Sequence, residues 1–281
     1  MIEKQTIRMK EDPNSKSIIV REVLAHNLEV EFNLIRELVG KYNFISMDTE
    51  FPGFIYSPTV DYLHRQPSDN YNNLKANVDA LKLIQLGLTL TDAGGNLPDL
   101  GTKNCYIWEF NFRDFDVDHD LHDKNSIEML RRQGVNFKRN FSHGVDSIRF
   151  SELMMASGLV FNPSVNWVTF HSAYDFGYLV KILIRSHLPT GLKEFLSIVR
   201  QLFGSNVYDM KYVMQYSNVL VGGLEGIANT LNVDRVVGKA HQAGSDSLLT
   251  WKTFQKMVQT YFINNEVQKY AGVIFGLEIQ S

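Results

Sequence analysis

Three strand-like segments, which follow one another in the first half of the chain, place the strongest constraint on its fold. Residues 42–50 (YNFISMDTE) begin with mostly apolar side chains and form the first segment. Residues 83–91 (LIQLGLTLT) alternate like a strand, and residues 105–112 (CYIWEFNF) are rich in aromatic side chains. The turn-forming sequence DAGGN at 92–96 separates the second segment from the third. Strands that follow one another in this way predict an antiparallel part of a sheet.

The remainder of the chain mixes short apolar runs with helical spacing. Strands are predicted at 166–170 and 207–209, and the polar residues 58–73 predict an irregular exposed loop. Apolar side chains that recur at helical spacing predict helices at 28–41, 126–134, 150–158, 171–185, 192–203, 224–231 and 247–262. This order predicts an α/β fold in which a mixed sheet is flanked by helices.

Amino-acid composition and net charge limit the classes of protein to which the chain can belong. The 281 residues are 44% hydrophobic and 21% charged, which is typical of a soluble globular protein. The single cysteine, Cys105, excludes an intramolecular disulfide and favours a reducing compartment. We expect no secretory signal and no membrane span. A net charge of −3 argues against a broad basic face for nucleic acid, but it leaves room for a narrow site assisted by metal ions.

Four carboxylates stand where strands end or helices begin. Asp48 and Glu50 lie two residues apart at the end of the first predicted strand, so both point to the same side of the sheet. Asp175 follows the strand predicted at 166–170 and lies at the beginning of a helix. Asp246 opens the last helix, and His241 precedes it by five residues. Strand ends of open α/β sheets are common ligand sites.

If these carboxylates converge, their charges need compensation, because an unpaired buried charge is very costly. No group of lysines or arginines accompanies them in the sequence. Oxygen ligands select hard cations such as Mg²⁺ or Mn²⁺. Two such ions about 3.5–4 Å apart are a common arrangement for phosphodiester cleavage. His241 would then be a general base, because imidazole titrates near neutral pH.

Each residue taken alone has a simpler interpretation. Asp48 and Glu50 fit solvated residues at a strand end. Ser172 and Asp175 have the spacing of a helix capping box. Asp246 would interact favourably with the dipole of its helix, and His241 fits an ordinary loop histidine.

The motifs SMDTEFPG, FHSAYDFGYL and HQAGSDSLLT resemble the three exonuclease motifs of the DEDDh superfamily. More narrowly, they resemble the Caf/Pop-type deadenylase subunit of the Ccr–Not complex. Further similar segments, such as NVDALKLIQLGLTL and YDMKYVM, extend the resemblance over nearly the whole chain, and PTGLKEFL is similar to plant members.

This resemblance implies a ribonuclease-H-like fold and one exonuclease domain over residues 1–281, with a less ordered segment at about 1–15. It also implies metal-dependent 3′-5′ removal of AMP from the poly(A) tails of mRNA. The implied partners are poly(A) RNA, the scaffold of the Ccr–Not complex and its second deadenylase subunit. The implied location is both the cytoplasm and the nucleus.

By the same motifs, Asp48, Glu50, Asp175 and Asp246 would be ligands of two Mg²⁺ or Mn²⁺ ions, and His241 would be the general base. Asp48 would be shared by both ions. Glu50 and Asp246 would hold the ion that activates water, and Asp175 the second ion.

Three further residues are candidates for substrate contact: Phe51 for stacking on the terminal base, and His171 and Tyr174 for the sugar or phosphate. Core packing or helix capping is the simpler account of each. Two alternatives to a deadenylase stay open, namely a scaffold subunit whose catalytic role is secondary and a general single-strand exonuclease.

Overall fold

A computed structural model describes residues 16–217 and 219–279. The segment at about 1–15, for which we expect less order, lies outside the described residues. A six-stranded sheet with the order β1-β4-β3-β2-β5-β6 forms the centre of the molecule. Its strands are β1 (Ser17–Val23), β2 (Phe44–Glu50), β3 (Gln85–Thr91), β4 (Asn104–Asn111), β5 (Asn166–Thr169) and β6 (Val207–Asp209).

The sheet is mixed, as predicted. Strand β3 pairs antiparallel with both β2 and β4, which confirms the antiparallel part. The pairs β1–β4, β2–β5 and β5–β6 are parallel. The flanking helices are α1 (Leu28–Leu38), α2 (Pro67–Ala80), α3 (Lys124–Gln133), α4 (Phe137–His143), α5 (Ser147–Met155), α6 (Ala173–Ile184), α7 (Leu192–Phe203), α8 (Met210–Val213), α9 (Leu224–Thr230) and α10 (Ala243–Tyr261). Short 3₁₀ turns lie at Tyr62–His64, Met214–Tyr216 and Ile263–Tyr270.

The prediction of an irregular segment at 58–73 is wrong in its second half, where α2 begins at Pro67. A capping box starts this helix, in which the Gln66 N–H donates to the Asp69 carboxylate over 2.9 Å. The buried side chains of α2 include Tyr71, Leu74 and Val78, and the helix packs against α6. This packing stabilises a helix whose polar sequence shows little periodicity.

The two faces of β2 have different neighbours, and one of them carries the candidate site residues. Ile45 and Met47 are buried in the main hydrophobic core, which lies between the sheet and helices that include α1, α5 and α6. On the opposite face, the Ser46 hydroxyl donates to the Ser247 carbonyl of α10 over 2.8 Å. Because strand side chains alternate, the next residues on the α10 side are Asp48 and Glu50. In the described part of the chain, no helix has the length and apolar character that crossing a lipid bilayer requires.

Candidate active site

The first pair of carboxylates lies at the end of β2, next to α10. Asp48 pairs across the sheet with Gly87 of β3, and Glu50 pairs with Gln85. Asp48 is half-buried, and Glu50 is only 7% exposed. Both side chains line one open cleft with a volume of about 500 Å³.

Asp246 reaches this cleft because the N-terminus of α10 packs directly on the sheet. The helix begins at Ala243, four residues earlier than predicted, so Asp246 lies within its first turn. A Cβ atom at Gly87 would overlap the backbone carbonyl of Ala243, so only glycine permits this close approach. The Glu109 carboxylate of β4 also anchors the helix by accepting the Gly244 N–H over 3.1 Å.

Three donor groups meet at one point of the cleft. Glu50, His241 and Asp246 each offer one ligand atom, and these three atoms all lie within 4.8 Å of one another. His241 is exposed and has a positive φ of 59°. Its backbone N–H donates to the Asp246 carboxylate over 2.7 Å, which holds the histidine beside the acidic group.

Asp175 lies in the first turn of α6 and is turned towards β2. The alternative that Ser172 and Asp175 form a capping box is wrong, because the Ser172 side chain makes no capping hydrogen bond. The Ser172 hydroxyl instead contacts Thr169 and Asp209. One oxygen of the Asp175 carboxylate accepts the Thr49 hydroxyl over 2.6 Å. This bond holds Asp175 next to β2, near enough for its charge to act on Asp48.

Burial and mutual repulsion disfavour the charged state of these carboxylates. Burial is the main cause that raises the pKa of Asp48 well above its ordinary value, followed by the charges of Asp175, Asp246 and Glu50. Burial also raises the pKa of Glu50 well above its ordinary value. The pKa of Asp175 rises to about 7 through burial, although the Thr49 hydrogen bond lowers it. For Asp246 burial again raises the pKa, against the opposing effect of Arg235.

Sequence reasoning missed Arg235 as a neighbour of the site. Its guanidinium donates to the Asp246 carboxylate over 2.5 Å and to the Ser245 hydroxyl over 2.5 Å, and it also pairs with Glu225 of α9. Arg235 lies eleven residues before Asp246, and a single arginine in a loop carries no recognisable motif. Thr49, between the two carboxylates of the DTE sequence, was missed because its partner Asp175 is distant in the sequence.

The structure also locates the three residues predicted to contact substrate. Phe51 lines the cleft. Tyr174 stacks on Phe51, with ring centroids 5.4 Å apart. The His171 ring packs edge-on against Phe275 at 5.2 Å, and burial lowers its pKa.

The donor set fits hard divalent cations. Four carboxylates approach one another, while one arginine, Arg235, contacts only Asp246 among them. When neighbouring carboxyl groups are ionised, their mutual repulsion requires further positive charge beside them. Carboxylate oxygens, with one imidazole beside them, suit Mg²⁺ or Mn²⁺ better than a thiolate-preferring metal.

Comparisons with known proteins identify the family of the chain. The profile of the CAF1 family ribonucleases matches residues 23–163. A probable CCR4-associated factor 1 homolog 10 of Arabidopsis thaliana is 48% identical over 97% of this chain and 97% of its own length. The chain belongs to the CAF1 family of ribonucleases. The family member named poly(A) ribonuclease pop2 of Schizosaccharomyces pombe is 40% identical over 92% of this chain and 75% of its own length.

Solved structures support the same assignment. The Mg²⁺- and Mn²⁺-bound form of S. pombe Pop2p matches this CAF1 family chain with a TM-score of 0.84 and 39% identity, over 92% of this chain and 99% of its own. A yeast CAF1 co-crystallised with the NOT1 MIF4G domain matches with a TM-score of 0.75 and 34% identity, over 95% and 100% of the two chains. An exonuclease I structure, at 13% identity and a TM-score of 0.52 over 81% of this chain and 42% of its own, shares the fold. The ribonuclease-H-like fold predicted from the motifs is thus confirmed.

Proposed function

We propose that this chain is a poly(A)-specific 3′-5′ exoribonuclease, a deadenylase of the Caf/Pop type that depends on Mg²⁺ or Mn²⁺. The observation that carries the proposal is the meeting of Glu50, Asp246 and His241 within 4.8 Å, in a cleft that Asp48 also lines. The chain is a CAF1 family ribonuclease, and its relatives match it over nearly its full length, so we infer one catalytic domain.

In this proposal Asp48, Glu50, Asp175 and Asp246 hold two divalent cations. Asp48 is shared, Glu50 and Asp246 serve the ion on the water side, and Asp175 serves the other. When bound, the ions supply positive charge that makes the attacking water more acidic and neutralises the reacting phosphate. The support for this ligand set is the chemistry of the donor oxygens and the Mg²⁺ and Mn²⁺ found in S. pombe Pop2p.

His241 is the proposed general base. Its imidazole takes a proton from the attacking water as the water oxygen forms a bond to the terminal phosphorus. The bond from phosphorus to the 3′ oxygen of the preceding nucleotide breaks, and this oxygen takes a proton from solvent. The products are therefore AMP and a shortened chain that ends in a 3′ hydroxyl. An exposed imidazole suits this role because it can release the proton to solvent before the next cycle. The hydrogen bond from its N–H to Asp246 keeps the histidine beside the proposed water site.

The preference for adenine and the partners rest on the relatives. The S. pombe relative is named a poly(A) ribonuclease, and the Arabidopsis relatives are named CCR4-associated factors. A yeast CAF1 was co-crystallised with the NOT1 MIF4G domain. We therefore propose that this chain acts on poly(A) and assembles with a Ccr–Not scaffold and a second deadenylase subunit. The proposed location, cytoplasm and nucleus, rests on the family resemblance alone and is testable with a fluorescent fusion.

One panel of reactions tests the activity. Poly(A), poly(U) and single-stranded DNA are incubated with the protein in Mg²⁺, in Mn²⁺ and in chelator. We expect AMP release from poly(A) in either metal and none in chelator. The Asp48→Asn variant should be inactive while keeping its circular dichroism spectrum. Equal degradation of all three polymers would overturn the adenine preference, and full activity of the variant would overturn the proposed chemistry.

A further inference from the structure

An exposed aromatic ring forms part of the cleft wall beside the carboxylates. Phe54 lines the same cleft as Asp48 and Glu50, yet its side chain is 55% exposed. Burial of a phenyl ring makes one of the larger single contributions to the free energy of folding. A ring that stays exposed here is therefore not held by core packing. Its exposed part borders the space that a substrate would occupy.

Two other rings support Phe54 from one side. Its ring lies edge-to-face with Tyr174 at a centroid distance of 4.9 Å and with Phe51 at 5.5 Å. The Phe51 and Tyr174 rings are themselves stacked, with an interplanar angle of 17°. The three rings therefore form one aromatic cluster, in which Phe54 is the exposed member.

The backbone on both sides of Phe54 is fixed. Gly53 has a φ of 83°, and a Cβ atom there would overlap the side chain of Ser126 at the start of α3. On the other side, the Asn77 side-chain oxygen accepts the N–H groups of Ile55 and Tyr56 over 2.8 and 2.9 Å. Because anchored residues lie on both sides, the backbone that carries the ring is fixed before any ligand arrives. The ring itself is supported by its contacts with Phe51 and Tyr174, and this preorganisation reduces the entropy cost of binding.

We propose that Phe54 is a base-stacking residue for the single-stranded substrate and favours purines over pyrimidines. The inference rests on the proposed ribonuclease function and adds a determinant of base preference. Aromatic rings in single-strand clefts bind bases through their π faces, largely without hydrogen bonds. A purine has two fused rings and covers more of the exposed phenyl surface than a pyrimidine does. A nucleotide whose phosphate reaches Asp48 lies in the cleft that Phe54 lines, so its base is within reach of the ring.

The test compares Phe54→Ala, Phe54→Leu and Phe54→Trp with the wild-type protein on oligo(A) and oligo(U) in Mg²⁺. Phe54→Ala should raise KM for oligo(A) about tenfold and KM for oligo(U) less, with kcat within about twofold. Phe54→Leu, which keeps bulk but no π face, should behave like Phe54→Ala, whereas Phe54→Trp should keep a low KM. Phe161→Ala removes a ring that is 60% exposed and lies outside the lining of this cleft, and it should change nothing.

A second readout is independent of turnover. An oligo(A) with 2-aminopurine near its 3′ end should lose fluorescence on binding the inactive Asp48→Asn variant in Mg²⁺, and adding Phe54→Ala to that variant should remove this quenching. An unchanged KM in Phe54→Ala, or a wild-type KM in Phe54→Leu, would overturn the stacking role while leaving the ribonuclease proposal intact. If the wild-type protein releases no AMP from oligo(A), the proposed function fails and this inference fails with it.

Discussion

At the scale of single residues, the buried carboxylates determine how the protein responds to pH. Burial raises the pKa of Asp48 and Glu50, and it raises that of Asp175 to about 7. In the unfolded chain such groups ionise near pH 4, at about 3.9–4.3. Between pH 4 and the raised values the folded state binds more protons than the unfolded state, so stability falls as the pH rises.

The metal-free protein should therefore melt at a lower temperature at pH 8 than at pH 5.5. Asp48→Asn removes one of the repelling charges and should raise the metal-free melting temperature at pH 8 by about 3 °C or more. A ligand that binds only the folded state stabilises it. Added Mg²⁺ or Mn²⁺ should therefore stabilise the wild-type protein more than the variant, because the variant lacks the Asp48 carboxylate that is a proposed ligand. Calorimetry in chelator and in Mg²⁺ or Mn²⁺ measures these melting temperatures. A variant that is less stable than the wild-type protein in chelator would contradict the expected charge repulsion.

Arg235 is expected to position Asp246. The Arg235 side chain is 14% exposed, and its guanidinium contacts Asp246, Ser245 and Glu225 of α9. Arg235→Gln should leave the fold intact but lower kcat about tenfold, because Asp246 loses the donor that orients one of its oxygens. The affinity for Mn²⁺, measured by calorimetry, should change as well, because the same carboxylate is a proposed ligand.

The matched control for this change is Arg132→Gln, since the Arg132 side chain is 74% exposed and pairs only with Glu128 among the described residues. This control should keep wild-type kcat and Mn²⁺ affinity. If Arg235→Gln also keeps both, the arginine has only a structural role in the loop.

At the scale of secondary structure elements, the contact between α10 and the sheet decides whether Asp246 reaches β2. Gly87 of β3 lies beneath Ala243, where a Cβ atom would overlap the backbone carbonyl. Gly87→Ala should therefore displace the helix N-terminus, lower the free energy of unfolding by about 3 kcal/mol and abolish activity. Gly40→Ala is the control, because a Cβ atom at Gly40 meets no atom within 4 Å. Chemical denaturation measures the free energy of unfolding of both variants. Equal stability would show that α10 accommodates the added methyl group.

Local patterns explain which elements could be predicted from the sequence. Strands β2, β3 and β4 follow clear apolar runs, and the helices later in the chain follow helical spacing. Strand β1 was missed because SIIVREV lacks a clean buried face, and its partner β4 is distant in the sequence. Helix α2 has few apolar residues, and the short helix α4 spans only seven residues, so packing and caps stabilise both more than propensity does.

Some residues of the candidate site could be recognised from the sequence, whereas some of its contacts could not. Asp48 and Glu50 were recognisable because a strand places both on one side. The contacts from Thr49 to Asp175 and from Arg235 to Asp246 depend on pairings that no local periodicity encodes. The close approach at Gly87 is likewise visible only once α10 is placed on the sheet.

At the scale of the whole molecule, one buried aspartate joins three parts of the chain near the site. The Asp209 carboxylate accepts the N–H groups of His171 and Ser172, which lie between β5 and α6. It also accepts the N–H of Lys211 in α8 and that of Phe275 in the C-terminal segment. Asp209 thus couples the start of α6, which carries Asp175, to the end of the chain.

Replacing this carboxylate should loosen all three connections. In Asp209→Asn one acceptor oxygen becomes an amide group, which leaves at least one backbone N–H without an acceptor. The other oxygen becomes neutral and accepts the remaining N–H groups more weakly than a carboxylate does. A buried donor without an acceptor costs about 1–3 kcal/mol, and more when a charged partner is lost, so we expect a loss of about 3 kcal/mol. Asp118→Asn, at an exposed position, should be neutral. Hydrogen exchange should show faster opening at His171, Lys211 and Phe275 together, because one group holds them. Faster exchange at only one of these sites would mean that the three segments are anchored independently, and the coupling of α6 to the C-terminal segment would then be wrong.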